Sequence, residues 1–521
     1  MTITQWFLFF LIIQVVHFLG TWKLYVKAGR QAWEAAVPVY NAVILMKIIH
    51  RPWWWTILLF IPIVNLIMFP VVWVETIRSF GKNSLMDTIL VVATFGLYIY
   101  YINYMVDVTY IQDRSLHPRT AAGEWISSIL FAVIAATLVH TYLIQPFTIP
   151  TSSLEKTLLV GDFLFVSKFH YGARTPLTAV AFPMVHDTIP ILGIKSYLPK
   201  PQIPYFRFPG FEKVERSDIV VFNWPVDTMR YMMTTDKHYY KPIDKKTNYV
   251  KRAVGVAGDS LRIVDGKIFI NSDPLKLPGR AKLQYNYIGT SKGKGFDSYY
   301  LYERYDITDP TQYYQNSNKF LINLTEESYK KFKDHPNVET LERWNDSVGN
   351  KEQGLFPKSK SLSWNRDNLG PIFIPKKGTT TKLNLETLPF YRRLIEVYEG
   401  SELGIDNKLS VNGTQVLLNG QPIDTYTFKM DYYWMMGDNR HNSLDSRYFG
   451  FVPENHVVGK PVFVWFSWDT NGNGIMNKIR WERLFTTVSG DKEPTSYLPY
   501  FLIGLLVLFG YNFFKSKKKN S

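Results

Sequence analysis

Residues 125–144 read WISSILFAVIAATLVHTYLI, without one formally charged side chain. That length is close to the roughly 20 apolar residues a helix needs to cross a bilayer. In hydrocarbon every backbone N–H and C=O must be satisfied within the protein, which restricts such a stretch to helix. A second uncharged run, residues 497–514 (YLPYFLIGLLVLFGYNFF), lies near the other end. Three further candidates precede the first, at residues 3–19, 53–74 and 88–104; the middle one carries Pro62, Asn65 and Pro70 and is expected to kink or re-enter. The run at residues 3–19 has no basic residue ahead of it, and the first lysine, Lys23, follows it. That order argues for a retained anchor rather than a cleaved leader. About four transmembrane helices are therefore expected in residues 1–145, and one more with a basic tail in residues 495–521.

Lysine and arginine placement sets orientation. The tail KSKKKNS and residues 20–52, with Lys23, Lys27, Arg30, Lys47 and Arg51, both read as cytoplasmic. Four crossings before Pro146 and one after Thr495 satisfy both, with the N-terminus outside and residues 146–494 beyond the cytoplasmic face. The net charge of +15 is thus partly topological, and its basic loops favour an anionic leaflet. No basic run accompanies a groove-entering helix pattern, so no nucleic-acid partner is expected. The chain has no cysteine, which excludes disulfides, thiolate metal sites and cysteine nucleophiles together.

The segment between the last N-terminal crossing and the C-terminal one reads as strands. DFLFVSKF, SDIVVFNWP, YVKRAVGV, LRIVDGKIFIN and VVGKPVFVWF are short, β-branched and aromatic, and are punctuated by Gly, Pro, Asn and Asp. Only residues 326–332 suggest a helix there. Residues 261–430 turn polar, lysine-rich and tyrosine-rich without a chemical signature, and read as an inserted subdomain that splits a β domain into residues 146–260 and 431–494.

TIPTSSLEKTLLVGDF, from Thr148, sets three hydroxyls at Thr151, Ser152 and Ser153 ahead of Lys156. A serine becomes a useful nucleophile when a base takes its proton, and a lysine serves if burial depresses its pKa. SLEK at residues 153–156 fits the SxxK pattern of the penicillin-binding enzymes, which place serine and lysine one helical turn apart. Their SDN and KTG boxes are absent, and the residues after Lys156 run toward a strand. Lys156 therefore reads as a solvated surface lysine, and Lys168 lacks a desolvating setting.

Four boxes in order carry more weight. PFTIPTSSLEKTLLVGDFLFVSKFHYG is followed by RSDIVVFNWP from Arg216, NYVKRAVGVAGD from Asn248 and GDNRHNSLDSRYFGFVP from Gly437. Together they resemble the bacterial type I signal peptidases, membrane-bound Ser-Lys endopeptidases of the S26 family that remove signal peptides from exported proteins. The resemblance spans about half the chain. It implies a mainly β catalytic domain outside the membrane, anchored by N-terminal transmembrane helices and one C-terminal helix.

It also implies roles. Ser153 matches the nucleophile, with Leu154 where the family usually has methionine, and Lys251 matches the general base. Thr151 and the Ser153 N–H match the oxyanion-hole donors. Ser443 matches a serine that orients the lysine, Asp438, Asp445 and Arg447 match residues that hold the site together, and Arg252 is a further partner. Taken alone, DNR and DSR would mean Asx turns and ion pairs in a loop. Phe147, Ile149, Leu154, Leu158, Tyr249 and Val250 match the lining of shallow pockets that admit small residues of an extended peptide. Thr151 replaces the more usual serine and Glu155-Lys156 replaces an apolar residue and proline; neither change removes a catalytic group.

No cofactor and no metal are expected: DTNGNG at Asp469 resembles the start of a calcium loop, but position twelve is Arg480 where a bidentate glutamate is needed. The scattered histidines, His170 among them, form no HExxH motif. The resulting expectation is a multi-spanning membrane serine endopeptidase of the inner membrane, with its catalytic domain on the outer side. Its partners would be the signal peptides of exported preproteins, membrane lipid and the export machinery. The alternatives are a relative of the self-cleaving Ser-Lys repressor proteases, which five crossings argue against, and an idle membrane scaffold that binds export partners through the insertion.

Overall fold

The computed structural model describes residues 1–118, 120–230, 239–293, 295–359, 361–472 and 474–520. The chain divides into two compact units: Met1–Leu143 with Arg174–Arg207 and Thr228–Lys246, and Ile144–Ala173 with Phe208–Asp227 and Thr247–Ser521.

In the first unit, two helices among the described residues are long and apolar enough to cross a membrane unbroken, Ile3–Lys27 and Ala121–Leu143. Thr2 caps the first through a capping box with Gln5. The other two expected crossings are broken into shorter helices, the first of them at the stretch whose prolines suggested a kink. Residues 53–74 split into a short helix, Trp55–Leu58, and a longer one, Val64–Ser79, with Ile63 between them at φ 70° and Pro70 inside the second. Residues 88–104 become Leu85–Ala93 and Tyr98–Met105, bent by 117°. The bend falls at Gly96, whose φ of +84° is the left-handed region that glycine enters without cost; the Trp73 ring lies 2.8 Å from where a Cβ would stand. Glu75, buried in the second segment, accepts from Arg51 at 3.0 Å and Arg114 at 2.6 Å. Arg174–Arg207 folds back on itself through paired bridges such as Thr178 with Gln202 and Ala181 with Tyr197. The Trp6 indole donates to the Gln202 carbonyl at 2.9 Å.

The second unit is built on an eight-stranded sheet. Its first strands are β1 (Ile144–Thr148), β2 (Asp162–Ser167), β3 (Ile219–Asn223) and β4 (Asn248–Gly255). The order is β1, β2, Val457–Ser467, β3, β4, Tyr432–Met436 and Val452–Pro453, with Thr486–Thr487 paired to Val457–Ser467. Every pairing is antiparallel. Strand side chains alternate faces, and both faces here are covered. Ile219 and Val221 join one apolar cluster with Ile149, Leu154 and Leu158; Val220 and Phe222 join another with Ala253, Tyr433 and Met435.

Between β4 and Tyr432 the chain builds two further four-stranded sheets. One pairs Ser260–Val264 and Lys267–Ile270 with Leu369–Phe373. The other, Gln284–Ser291 with Gln312–Tyr313, Lys319–Thr325 and Val338–Arg343, closes over its own core of Tyr287, Phe320, Ile322 and Phe332. The helix read at residues 326–332 is present as Glu326–Phe332, capped by Thr325. Ser298–Tyr305, capped by Asp297, and Leu388–Arg393 are further helices that sequence pattern alone did not suggest. The C-terminal helix Leu498–Asn520 has an apolar part, Leu498–Phe513, shorter than the two unbroken spans.

Candidate active site

Ser153 lies in a single 3-10 turn, Ser152–Leu154, that follows the extended Thr151. Leu154 and Leu158 bury themselves in the first apolar cluster and pull the turn onto the sheet. Lys251 is the fourth residue of β4, opposite Val220 of β3, and its neighbour Arg252 is opposite Met436. A five-residue strand on either side thus excludes water from a lysine in mid-strand. The outcome is a contact across 98 residues of sequence: Lys251 Nζ donates to Ser153 Oγ at 2.5 Å. Both residues are buried, at 5% and 8% exposure.

Burial decides the state of the amine. Desolvation lowers the Lys251 pKa from 10.5 to about 8, against the opposing pull of the Asp445 and Asp438 carboxylates and with help from Arg447. The carboxylates lose that contest because each already faces its own guanidinium. Arg252 Nε and Nη2 donate to the two oxygens of Asp438 at 2.8 and 2.6 Å, and Thr157 Oγ1 adds a third bond at 2.7 Å. Arg447 Nε and Nη2 donate to the two oxygens of Asp445 at 2.9 and 2.8 Å. These four side chains are almost fully buried, and each carboxyl is held below its ordinary pKa by its arginine although desolvation pushes the other way. The Tyr249 ring stands 5.4 Å from Lys251 Nζ and stacks on Trp224 at 5.1 Å.

Gly437 lets the loop close. A Cβ there would meet Ser443 Oγ at 2.3 Å and the Ser153 carbonyl at 2.4 Å. Gly437→Ala is therefore expected to destabilise the folded protein by about 1–3 kcal/mol through overpacking, measured by thermal unfolding. Ser443 is buried, and its hydroxyl has no hydrogen-bond partner among the described residues, so no bond joins it to Lys251. It lies near enough to Asp445 to favour the ionised carboxyl.

Thr151 is exposed, and its hydroxyl does not cap the turn that follows. Of the residues expected to line the pockets, Ile149, Leu154 and Leu158 are buried in one apolar cluster, with the half-buried Phe147 and Val250 packed against it. Tyr249 packs instead in the neighbouring cluster beside Phe222 and Trp224. Lys156 is not the solvated lysine expected of it: its side chain is 6% exposed and pairs with Asp306 at 2.7 Å. Asp469 is engaged by Arg480 and Tyr302, so the calcium-like stretch folds around an arginine; Asn473 of that stretch lies outside the described residues.

Asn439 went unremarked in sequence although it stands inside the GDNRHN box. It is fully buried, its N–H donates to the Ser153 carbonyl at 3.1 Å, and its Nδ2 donates to the Ser152 carbonyl at 3.3 Å. A loop amide between two charged residues was the only signal, and an ordinary turn sends the same one.

The chain is 25% identical over 395 residues to signal peptidase I of Buchnera aphidicola from Acyrthosiphon pisum, covering 73% of this chain and 90% of that one. Signal peptidase I of Haemophilus influenzae is 24% identical over 400 residues, 72% of this chain and 79% of its own. For Helicobacter pylori signal peptidase I the identity is 24% over 381 residues, 71% and 92%. Residues 33–113 match a family of unknown function, DUF5684. Residues 122–335 and 399–468, more than half the chain, match the model of the family described as signal peptidase, peptidase S26, and the chain belongs to that family.

Proposed function

We propose that this membrane-anchored serine endopeptidase removes signal peptides from exported preproteins with Ser153 as nucleophile and Lys251 as the base that activates it. The observation that carries the reading is the 2.5 Å hydrogen bond between the two side chains inside a water-poor site. With the amine neutral the bond reverses, and the Ser153 hydroxyl donates to Nζ. As Oγ attacks the scissile carbonyl carbon, Nζ takes the proton; the resulting ammonium protonates the departing amine, leaving an acyl ester on Ser153. A water then gives its proton to Nζ and attacks the ester carbonyl; the acyl–Oγ bond breaks, Oγ takes that proton back from Nζ, and the acid leaves with both side chains restored. The Ser153 N–H and the Thr151 hydroxyl stabilise the oxyanion in both halves, each donor typically contributing about 10²- to 10³-fold. Asp438 with Arg252 and Asp445 with Arg447 hold the walls. The buried Ser443 hydroxyl, beside Asp445, would turn to the ammonium once it forms.

Substrate selection is assigned to the apolar cluster beside the turn: Phe147, Ile149, Leu154, Leu158 and Val250 would line shallow pockets for small side chains of an extended peptide along the edge strand β1. Tyr249 borders the lysine instead. For topology, crossings at Ile3–Lys27 and Ala121–Leu143 alone keep the parity that four crossings would have: N-terminus outside, residues 28–120 cytoplasmic, catalytic unit outside. The helix Leu498–Asn520 returns the basic tail to the cytoplasm. Lipid and the export machinery are the further partners of such an arrangement.

The test is cleavage of a purified preprotein followed against pH. A base must be deprotonated to act, and its folded pKa is lowered to about 8. kcat/KM is therefore expected to rise about tenfold per pH unit below that value and to level off above it. A flat profile from pH 6 to 10 would sink the dyad. Failure of the folded protein to cleave any preprotein would return it to the scaffold reading.

A further inference from the structure

The sheet that begins at Gln284 reaches the nucleophile turn through one residue. Gln284 N donates to the Asp438 carbonyl at 3.0 Å and Arg440 N donates to the Gln284 carbonyl at 2.9 Å, so this strand runs beside the loop that carries Asn439. Asn439 bonds both Ser152 and Ser153 carbonyls, and its amide is in turn clamped from the inserted sheet. Asn323 Nδ2 donates to its Oδ1 at 2.9 Å, and Asp309 Oδ2 accepts from its Nδ2 at 3.0 Å. A donor facing Oδ1 and acceptors facing Nδ2, the Asp309 carboxylate and the Ser152 carbonyl, fix which way the amide faces. Asn323 is buried and tied to its own sheet by a second bond, to Asn286 Oδ1 at 2.8 Å. Beyond the turn, Lys156 holds a φ of +68° and is pinned by Asp306 of the same insertion.

The peptide plane gives this clamp a chemical consequence. The Ser152 carbonyl and the Ser153 N–H belong to one planar, trans peptide unit and point in opposite directions. Whatever fixes the carbonyl aims the N–H. Building on Ser153 as nucleophile, we propose that Asn439, locked by Asn323 and Asp309, is a positioning residue that aims the Ser153 N–H at the developing oxyanion. The inserted sheet is then part of the catalytic apparatus, although it touches no reacting atom. Misplacement by about 1 Å can cost about 10²-fold, so the clamp bears on rate rather than on substrate affinity.

The full-length protein in detergent, with a preprotein substrate, tests this. Asn439→Ala is expected to lower kcat about 10- to 100-fold, and Asn323→Ala and Asp309→Ala about tenfold each, with KM within twofold of wild type. The acid limb of the pH profile should keep its midpoint, because Lys251 remains desolvated. Asn323→Ala added to Asn439→Ala should cost nothing further, since both act through one contact. The inference fails if folded Asn323→Ala and Asp309→Ala keep kcat within twofold, if KM rises instead, or if the two losses multiply. Should Asn439→Ala not fold, the Asn323 and Asp309 variants decide alone. Ser153→Ala run in parallel separates the two levels: if it cleaves, the nucleophile reading falls; if it is dead while the clamp variants are fully active, only the clamp falls.

Discussion

Lys251→Met, which keeps the length and apolar stem of the side chain but removes the amine, is expected to lower kcat/KM for preprotein cleavage by about 10³- to 10⁴-fold. Ser153→Ala should lose as much, and the double variant scarcely more, because nucleophile and base act as one unit. Methionine is chosen because the lysine is 95% covered: a similar volume avoids a cavity, and no desolvated amine remains to cost stability. Thermal unfolding of Lys251→Met should therefore match or exceed wild type, which separates a chemical loss from a folding defect. A folded Lys251→Met retaining a tenth of wild-type activity would exclude the lysine as base. Lys156→Met is the paired control. Lys156 is three residues from the serine in sequence, but its ammonium is engaged by Asp306, so activity within about tenfold of wild type is expected.

The contrast between these two lysines shows what sequence can carry. The pair Ser153 and Lys251 was legible because four boxes stand in one order; spacing alone favoured Lys156. The antiparallel pairing of β4 with β3 and with Tyr432–Met436 places Lys251 in a dry mid-strand position, and its contact with Ser153, 98 residues away, leaves no local trace. Lys156 read as solvated because the boxes that accompany a catalytic SxxK are absent, and its partner Asp306 is 150 residues away. Asn439 sat in plain view, but its meaning depends on Asn323 and Asp309 in a segment without chemical signature. The strands were readable from β-branched runs between turn residues. The helix Ser298–Tyr305 was not, since SYYLYERY has the tyrosine content of a strand and only the Asp297 cap marks its start. In the membrane region Pro62 and Pro70 warned of a broken span, whereas the 117° bend passes through Phe95 and Gly96, both at positive φ, inside an otherwise unbroken apolar run.

The second large effect concerns the ion pair behind the lysine. Asp438→Ala leaves the Arg252 guanidinium, 2% exposed, with its carbonyl bond to Ser217 but without a counter-charge. Breaking a buried pair on one side typically costs about 3–5 kcal/mol, so a fall in melting temperature of several degrees is expected for the variant in detergent. Replacing both partners by apolar residues of similar volume, Arg252→Met with Asp438→Leu, should recover much of that loss, because the cost lies in the stranded charge rather than in the missing bond. Activity separates a second role. Asp438 raises the Lys251 pKa by Coulomb attraction. Its removal leaves a positive charge nearby and pushes that pKa lower still, so whatever activity Asp438→Ala retains should show its acid limb displaced to lower pH. The double variant removes the positive charge as well, and its midpoint should lie between those of Asp438→Ala and wild type. If both variants unfold less readily than wild type, or if neither moves the acid limb, the pair is neither the structural nor the electrostatic support of Lys251. A pair that shifts stability but not the midpoint is structural only, and the desolvation of the lysine by β3 and its neighbouring strands then accounts for its lowered pKa alone.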